Sequence, residues 1–325
     1  MFLIRFAHRA VLLLIITVLL GAFVLMVAQQ NGGAQTPVPT LTPPGGVLME
    51  VVYARKQGQH WDIWAINSDG TNPHNLTTEL PSAMQPEISP DGSHIAMVMQ
   101  QTGTAEIWLM QADGSNAHQL TYNGMDGGTS LYPTWSPDGR EIAFVSDVGG
   151  DWQVYVIEVD GENQRAITDT PEWKVMPDWS PDGSKIVYVG EASESLELYV
   201  VQADGSNAAH PRRLTTNRHD DSGPDWSPDG TQIAYMSERG GVWDIFALTL
   251  LGDTVSDTVN LTAGVMDDLP KAMPAWSPDG QQIAYSAGPL GGHDVYVLEV
   301  ATGTARPLTS DDTDDWMPGW GAEVR

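Results

Sequence analysis

The chain has 325 residues, 41% of them hydrophobic, with 33 Gly, 22 Pro, 12 Trp and no Cys. Disulfides and thiolate-bound metals are excluded, and the apolar content suffices for a sizeable core with many turns. With 42 acidic against 15 basic residues the formal charge is −27, which argues against nucleic acid as a partner and favours cationic ones.

Residues 1–46 carry no acid. Met1–Arg9 is short and basic through Arg5 and Arg9, and residues 10–28 (AVLLLIITVLLGAFVLMVA) are uncharged and apolar. At about 1.5 Å per residue, such a run makes a helix of about 28 Å, close to the ~30 Å thickness of bilayer hydrocarbon. The expectation is a membrane anchor over 1–29, with its Arg flank cytoplasmic and the rest of the chain extracytoplasmic. A cleavable signal is the alternative, with Gly32, Gly33 and Ala34 as a loose cleavage site and a secreted or periplasmic product. Residues 30–46, ending QTPVPTLTPPGG, read as a Thr/Pro-rich linker.

Three short strand signals follow: EVVYAR (50–55), DIWAIN (62–67) and NPHNLT (72–77). A repeat then begins, with PEISPDG (86–92), PTWSPDG (133–139), PDWSPDG (177–183 and 224–230), PAWSPDG (274–280) and a terminal Pro318-Gly319-Trp320. Aligned on the third letter, Ile88, Trp135, Trp179, Trp226, Trp276 and Trp320 are separated by 47, 44, 47, 50 and 44 residues. Each Ser-Pro-Asp-Gly precedes a run such as IAFVS (142–146), then one such as QVYVI (153–157), then a short segment ending in Leu-Thr or Ile-Thr. Four short strands per unit of this length predict an all-β, six-bladed β-propeller of four-stranded antiparallel blades over 47–325, preceded by one N-terminal transmembrane helix. The opening strands lack a first strand, and the C-terminal Pro-x-Trp strand supplies it, closing the ring.

Ser-Pro-Asp-Gly suits a type I turn, so Asp91, Asp138, Asp182, Asp229 and Asp279 are read as corner residues spread around one rim. The opposite rim carries the blade-connecting loops, where no two units agree. The candidate partner-binding residues there are Tyr132, Glu172, Trp173, Met176, Asp220, Asp221, Asp267, Asp268, Met273, Trp316 and Met317, an acidic ring with apolar anchors for a basic protein or peptide. In the competing reading, Met and Trp before Pro pack the channel and the acids only solvate it. Asp311, Asp312, Asp314 and Asp315 form a candidate Ca²⁺ cluster without the Gly-containing spacing of an EF-hand loop. No other cofactor is indicated.

The unit P-x-W-S-P-D-G-x-x-I-A-[FY], with its later D-G and L-T, resembles the propeller repeat of the TolB family and also the propellers of prolyl-oligopeptidase-type enzymes. The resemblance covers residues 47–325 and implies an extracytoplasmic protein-binding propeller. TolB-family proteins carry an α/β domain before the propeller, whereas here an anchor and linker precede it, and no partner-contacting residue carries over. No G-x-S-x-G or H-E-x-x-H occurs, so a non-enzymatic module is expected. A propeller hydrolase or lyase acting on carbohydrate or peptide through mouth residues, and a structural envelope component, are the alternatives.

Overall fold

The computed structural model describes residues 49–323 apart from 102, 193, 194 and 267. The expected anchor and linker lie outside the described residues. Among those described, no helix is long and apolar enough to cross a membrane.

Six four-stranded antiparallel sheets make up the domain. Five are continuous in sequence, with first strands at Ala83–Ile88, Ser130–Trp135, Lys174–Trp179, Asp221–Trp226 and Lys271–Trp276; we number these blades one to five. Blade six is composite. Its first strand is the C-terminal Asp314–Glu323, paired with Met49–Gln57 through Val51↔Trp320, Ala54↔Trp316 and Arg55↔Asp315. His60–Asn67 and His74–Asn75 complete it. A ring closed in this way leaves no open face at which a seventh sheet could stack.

The second and third strands alternate β-branched and aromatic residues, and the aromatic partners meet across the ladder. Phe144–Tyr155, Tyr188–Tyr199 and Tyr285–Tyr296 stack with centroids 5.8, 5.8 and 5.7 Å apart. Such pairs contribute roughly 0.5–1.5 kcal/mol beyond the area they bury. Between blades, the repeated Trp fills the gap. Trp276 packs with Ala234, Met236 and Ile245 of blade four, and Trp320 with Ala275, Ala284 and Val295 of blade five.

The corner behaves as its letters require. Ser136 Oγ donates to Asp138 Oδ1 (2.7 Å) and accepts from the Glu141 amide (2.9 Å), while Gly139 takes φ = +69° and donates to the Ser136 carbonyl. The hydroxyls and amides of Ser93 and Ser184, with Ser89 and Ser180, hold the Asp91 and Asp182 carboxyls down at about 2. The Leu-Thr ending also has a cause. In all six blades its Thr hydroxyl accepts the amide of the third strand's second, third or fourth residue: Ile63, Ile107, Val154, Leu198, Ile245 and Val295, at 2.8–3.0 Å. In five of them it also donates to the side chain one residue earlier, Asp62, Glu106, Gln153, Asp244 or Asp294. This clamp ties the outer strand to the sheet, which matters most in the four blades where that strand is only two residues long.

Candidate functional site

The first strand of each blade is interrupted at an equivalent place. In blades one to five the register slips between Met84 and Glu87, Leu131 and Thr134, Val175 and Asp178, Ser222 and Asp225, and Ala272 and Ala275. Blade six slips opposite Val52–Ala54. The residue at the bulge always precedes a proline, which bars it from the right-handed helical region. It adopts the left-handed region instead, with φ of 54° at Gln85, 56° at Tyr132, 52° at Met176, 57° at Gly223, 53° at Met273 and 56° at Met317. Only one of the six is glycine, so five pay a conformational cost of about 1–3 kcal/mol each. The six bulges and their prolines line the central channel, a cavity of about 270 Å³.

Tyr132, Met176 and Met317, all buried, and the partly buried Met273 are thus brought together on one narrow ring. Gln85 Oε1 accepts the Tyr132 amide at 2.6 Å, and Ser222 Oγ donates to Met176 Sδ at 3.4 Å, linking neighbours around it.

One residue beyond each proline lies a position that sequence reasoning passed over: Glu87, Thr134, Asp178, Asp225, Ala275 and Gly319. The carboxylates there bridge blades. Glu87 Oε1 accepts the Trp135 amide (3.1 Å), Asp178 Oδ2 the Trp226 amide (2.7 Å) and Asp225 Oδ2 the Trp276 amide (2.6 Å). Thr134 Oγ1 sits 3.2 Å from both Glu87 and Asp178. No basic side chain pairs with any of the three among the described ion pairs. Burial pushes Asp178 up to about 7, and burial with the Asp178 charge holds Glu87 and Asp225 well above the ordinary carboxylate range. The available signal was the middle letter of Pro-x-Trp, acidic in three of six repeats.

The remaining candidates do not line this cavity. Glu172 and Asp268 are exposed and Trp173 is half-buried on their loops, and Asp267 lies outside the described residues. Asp220 caps the Leu196 amide at 2.8 Å. Asp221 is fully buried and held by Asn217 and Arg239, so it does not present its charge at a mouth. Trp316 lies against His293, with ring centroids 3.9 Å apart, and packs on the core shared by blades six and one. It is a packing residue rather than an exposed anchor.

The four C-terminal carboxylates also separate. Asp315 is fully buried and takes a bidentate grip from Arg55 (2.8 and 2.7 Å), which also reaches Asp311 at 3.0 Å. Asp314 accepts the His293 amide (3.0 Å) and contacts its Nδ1 (2.7 Å), while Asp312 is exposed. Among the described residues no group of three or more His, Asp or Glu is placed to hold a metal ion.

Six four-stranded blades, a proline-ringed channel and a composite closing blade define a six-bladed β-propeller built from tandem Trp-Ser-Pro-Asp-Gly repeats. The chain belongs to the TolB β-propeller domain family, whose profile matches residues 80–193 and 163–267. Among solved structures it is similar to TolB from Acinetobacter baumannii, with 19% identity and a TM-score of 0.72 over 84% of this chain. It spans 66% of that protein, just under two thirds. A putative TolB from Agrobacterium tumefaciens aligns with 21% identity and a TM-score of 0.64 over 85% of this chain and 92% of its own. An oligogalacturonate lyase from Vibrio parahaemolyticus aligns with 14% identity and a TM-score of 0.55 over 80% and 74%. At these identities the likeness is one of fold. No curated protein sequence matches the chain.

Proposed function

We infer that the propeller is a non-enzymatic binding module that takes a basic peptide or protein segment at the mouth of its channel. The observation that carries this reading is the channel ring itself. Tyr132 and three Met side chains surround an opening beside Glu87 and Asp225, which have no basic partner among the described ion pairs. Thioether and aromatic groups adapt to varied apolar side chains, and the uncompensated acids favour a cationic residue between them. In this reading residues 10–28 tether the module to a membrane and place it on the extracytoplasmic side, as the Arg5 and Arg9 flank favours.

The test is photo-crosslinking of the full-length chain in its own membranes. Wild type is compared with a Met176→Ala, Met273→Ala, Met317→Ala triple variant and with Glu87→Gln, Asp225→Asn. Loss of the same crosslinked partners from both variants, at unchanged folding, is the expected result. Recovery of identical partners by both would refute the channel as the binding site.

A further inference from the structure

At two blade junctions, the side chain before the clamped third-strand residue bonds the side chain that opens the next blade's first strand. At the junction of blades one and two, Ser130 Oγ donates to Glu106 Oε2 at 2.9 Å. At the junction of four and five, the Lys271 ammonium lies 2.9 Å from Asp244 Oδ1. Two junctions depart from this pattern because both positions are acidic: that of blades five and six, with Asp294 and Asp315, and that of blades three and four, with Glu197 and Asp221, each of the latter with no solvent exposure.

Their outer oxygens are accounted for. Glu197 Oε1 accepts from Arg213 (2.5 Å) and Ser195 (2.7 Å), and Asp221 Oδ2 from Asn217 (2.5 Å) and Arg239 (3.2 Å). Both guanidinium-bearing side chains are partly exposed, Arg213 33% and Arg239 26%, while Arg239 Nε is buried without a partner among the described residues. The other two oxygens, Glu197 Oε2 and Asp221 Oδ1, have no hydrogen-bond partner among the described residues. Ser237 lies directly across the strand pair from Asp221, is fully buried, and its Oγ is also unpartnered. Blade six fills the corresponding position with Arg55, which grips Asp315 with both arms. Unpartnered buried carboxylate oxygens are costly, and a cation is what the junctions of blades four and five and of blades five and six place there.

We propose that a calcium ion binds at the junction of blades three and four, ligated by Glu197 Oε2, Asp221 Oδ1 and Ser237 Oγ. The donors are all hard oxygens, two of them charged, which suits Ca²⁺ with water completing its shell. The site is unrelated to the Asp311–Asp315 cluster, whose carboxylates already have Arg55 and His293. It does the work of the Lys271 ammonium one junction further on, fastening two sheets that would otherwise repel.

The test uses the full-length chain and CaCl₂ alone. After dialysis from calcium into calcium-free buffer, wild type retains one ion per chain by elemental analysis. Its thermal midpoint rises in a saturable way when calcium replaces EDTA. Asp221→Lys installs the side chain that blades three and five carry at this position, as Lys174 and Lys271. It loses both the retained ion and the calcium-dependent shift while its melting point in EDTA rises. Asp221→Ser recreates the arrangement of Ser130 with Glu106 and loses the ion as well, so the test survives if one variant fails to fold. Wild type with the same melting point in calcium and EDTA overturns the proposal. So does equal calcium retention by wild type and the folded variants, which would mean that the ion sits elsewhere on the acidic surface.

Discussion

Replacing Arg55 by Ala removes the side chain that fastens the two ends of the chain. Arg55 sits on the N-terminal strand of blade six and grips Asp315 on the C-terminal strand at 2.8 and 2.7 Å, with the Asp315 side chain fully buried and Arg55 9% exposed. Its guanidinium also lies 4.8 Å from the Trp64 ring and 5.4 Å from that of Tyr53. Truncation therefore leaves an uncompensated buried carboxylate, a change that typically costs about 3–5 kcal/mol. A neighbour aggravates it: Asp294 is pushed up to about 6 by burial and by the Asp315 charge. A carboxyl raised in the folded state stabilises the fold while protonated and loses that contribution as pH rises through its folded value. The deficit of Arg55→Ala should accordingly be smaller at pH 5 than at pH 8. The assay is equilibrium urea unfolding followed by Trp fluorescence at both pH values. The double variant Arg55→Leu, Asp315→Leu serves as control and should recover most of the loss, because replacing both partners leaves no buried charge. A single-variant cost below about 1 kcal/mol, the size of a surface ion pair, or a cost independent of pH, would refute the idea that this pair locks the ring.

The channel carboxylates predict a pH dependence of their own. Asp178 is raised to about 7 and Glu87 and Asp225 are raised well above their ordinary range, so their contribution is present at pH 4 and lost as pH rises toward 7. The corner carboxylates Asp91 and Asp182, held near 2, act oppositely and weaken the fold only as pH falls from about 4 toward 2. The urea midpoint should thus peak in mildly acidic solution, and Asp178→Asn should flatten its fall between pH 5 and pH 8; a midpoint that climbs over that interval contradicts the assignment. Thr262→Val removes a hydroxyl that accepts the Ile245 amide (3.0 Å) and donates to Asp244 (3.0 Å), for an expected loss of about 1–3 kcal/mol. Thr215→Val, whose hydroxyl accepts the Leu198 amide at 3.0 Å without a bond to Glu197, should cost less in the same denaturation assay. Trp316→Ala should lower the melting temperature and leave partner crosslinking per folded molecule unchanged, as expected of a side chain packed on His293 rather than displayed to a ligand.

The fold was legible because a propeller repeats its constraints. Pro, Trp, Asp-Gly and Leu-Thr each satisfy a local requirement that recurs once per blade, and the absence of a first strand before Val51 together with Trp320 at the other end is enough to count six blades. The site was legible only in part. Tyr132, Met176, Met273 and Met317 stand out as large residues before proline, and they do meet on the channel. Nothing in the sequence shows that the residue before proline is a left-handed bulge, because strict alternation along a strand assigns the faces wrongly past such an interruption. That slip hides Glu87, Asp178 and Asp225, which local reading places in a uniform corner motif. The loop acids misled for the opposite reason: Asp221 and Asp315 sit in segments that look solvated, yet they lie fully buried at the start of first strands.

This last point bears on how a repeat protein acquires function. The position five residues before the third letter of each repeat holds Ala83, Ser130, Lys174, Asp221, Lys271 and Asp315, all nearly or fully buried. No single chemistry is required there, only that each side chain be matched by its own surroundings. Ser130 finds Glu106, Lys271 finds Asp244, Lys174 finds the Thr170 and Glu172 carbonyls, and Asp315 finds Arg55. Each solution is local to one junction, so a substitution at one leaves the other five standing. A ring of equivalent but chemically independent junctions can therefore vary charge in its interior while every corner stays the same. The consequence is testable by exchange: transplanting the pair Ser130 and Glu106 to positions 221 and 197 should be tolerated, whereas placing Asp at 130 opposite the native Glu106 should not. The second change creates two facing carboxylates without the guanidinium groups that flank Glu197 and Asp221, and it should destabilise the fold by about 3–5 kcal/mol.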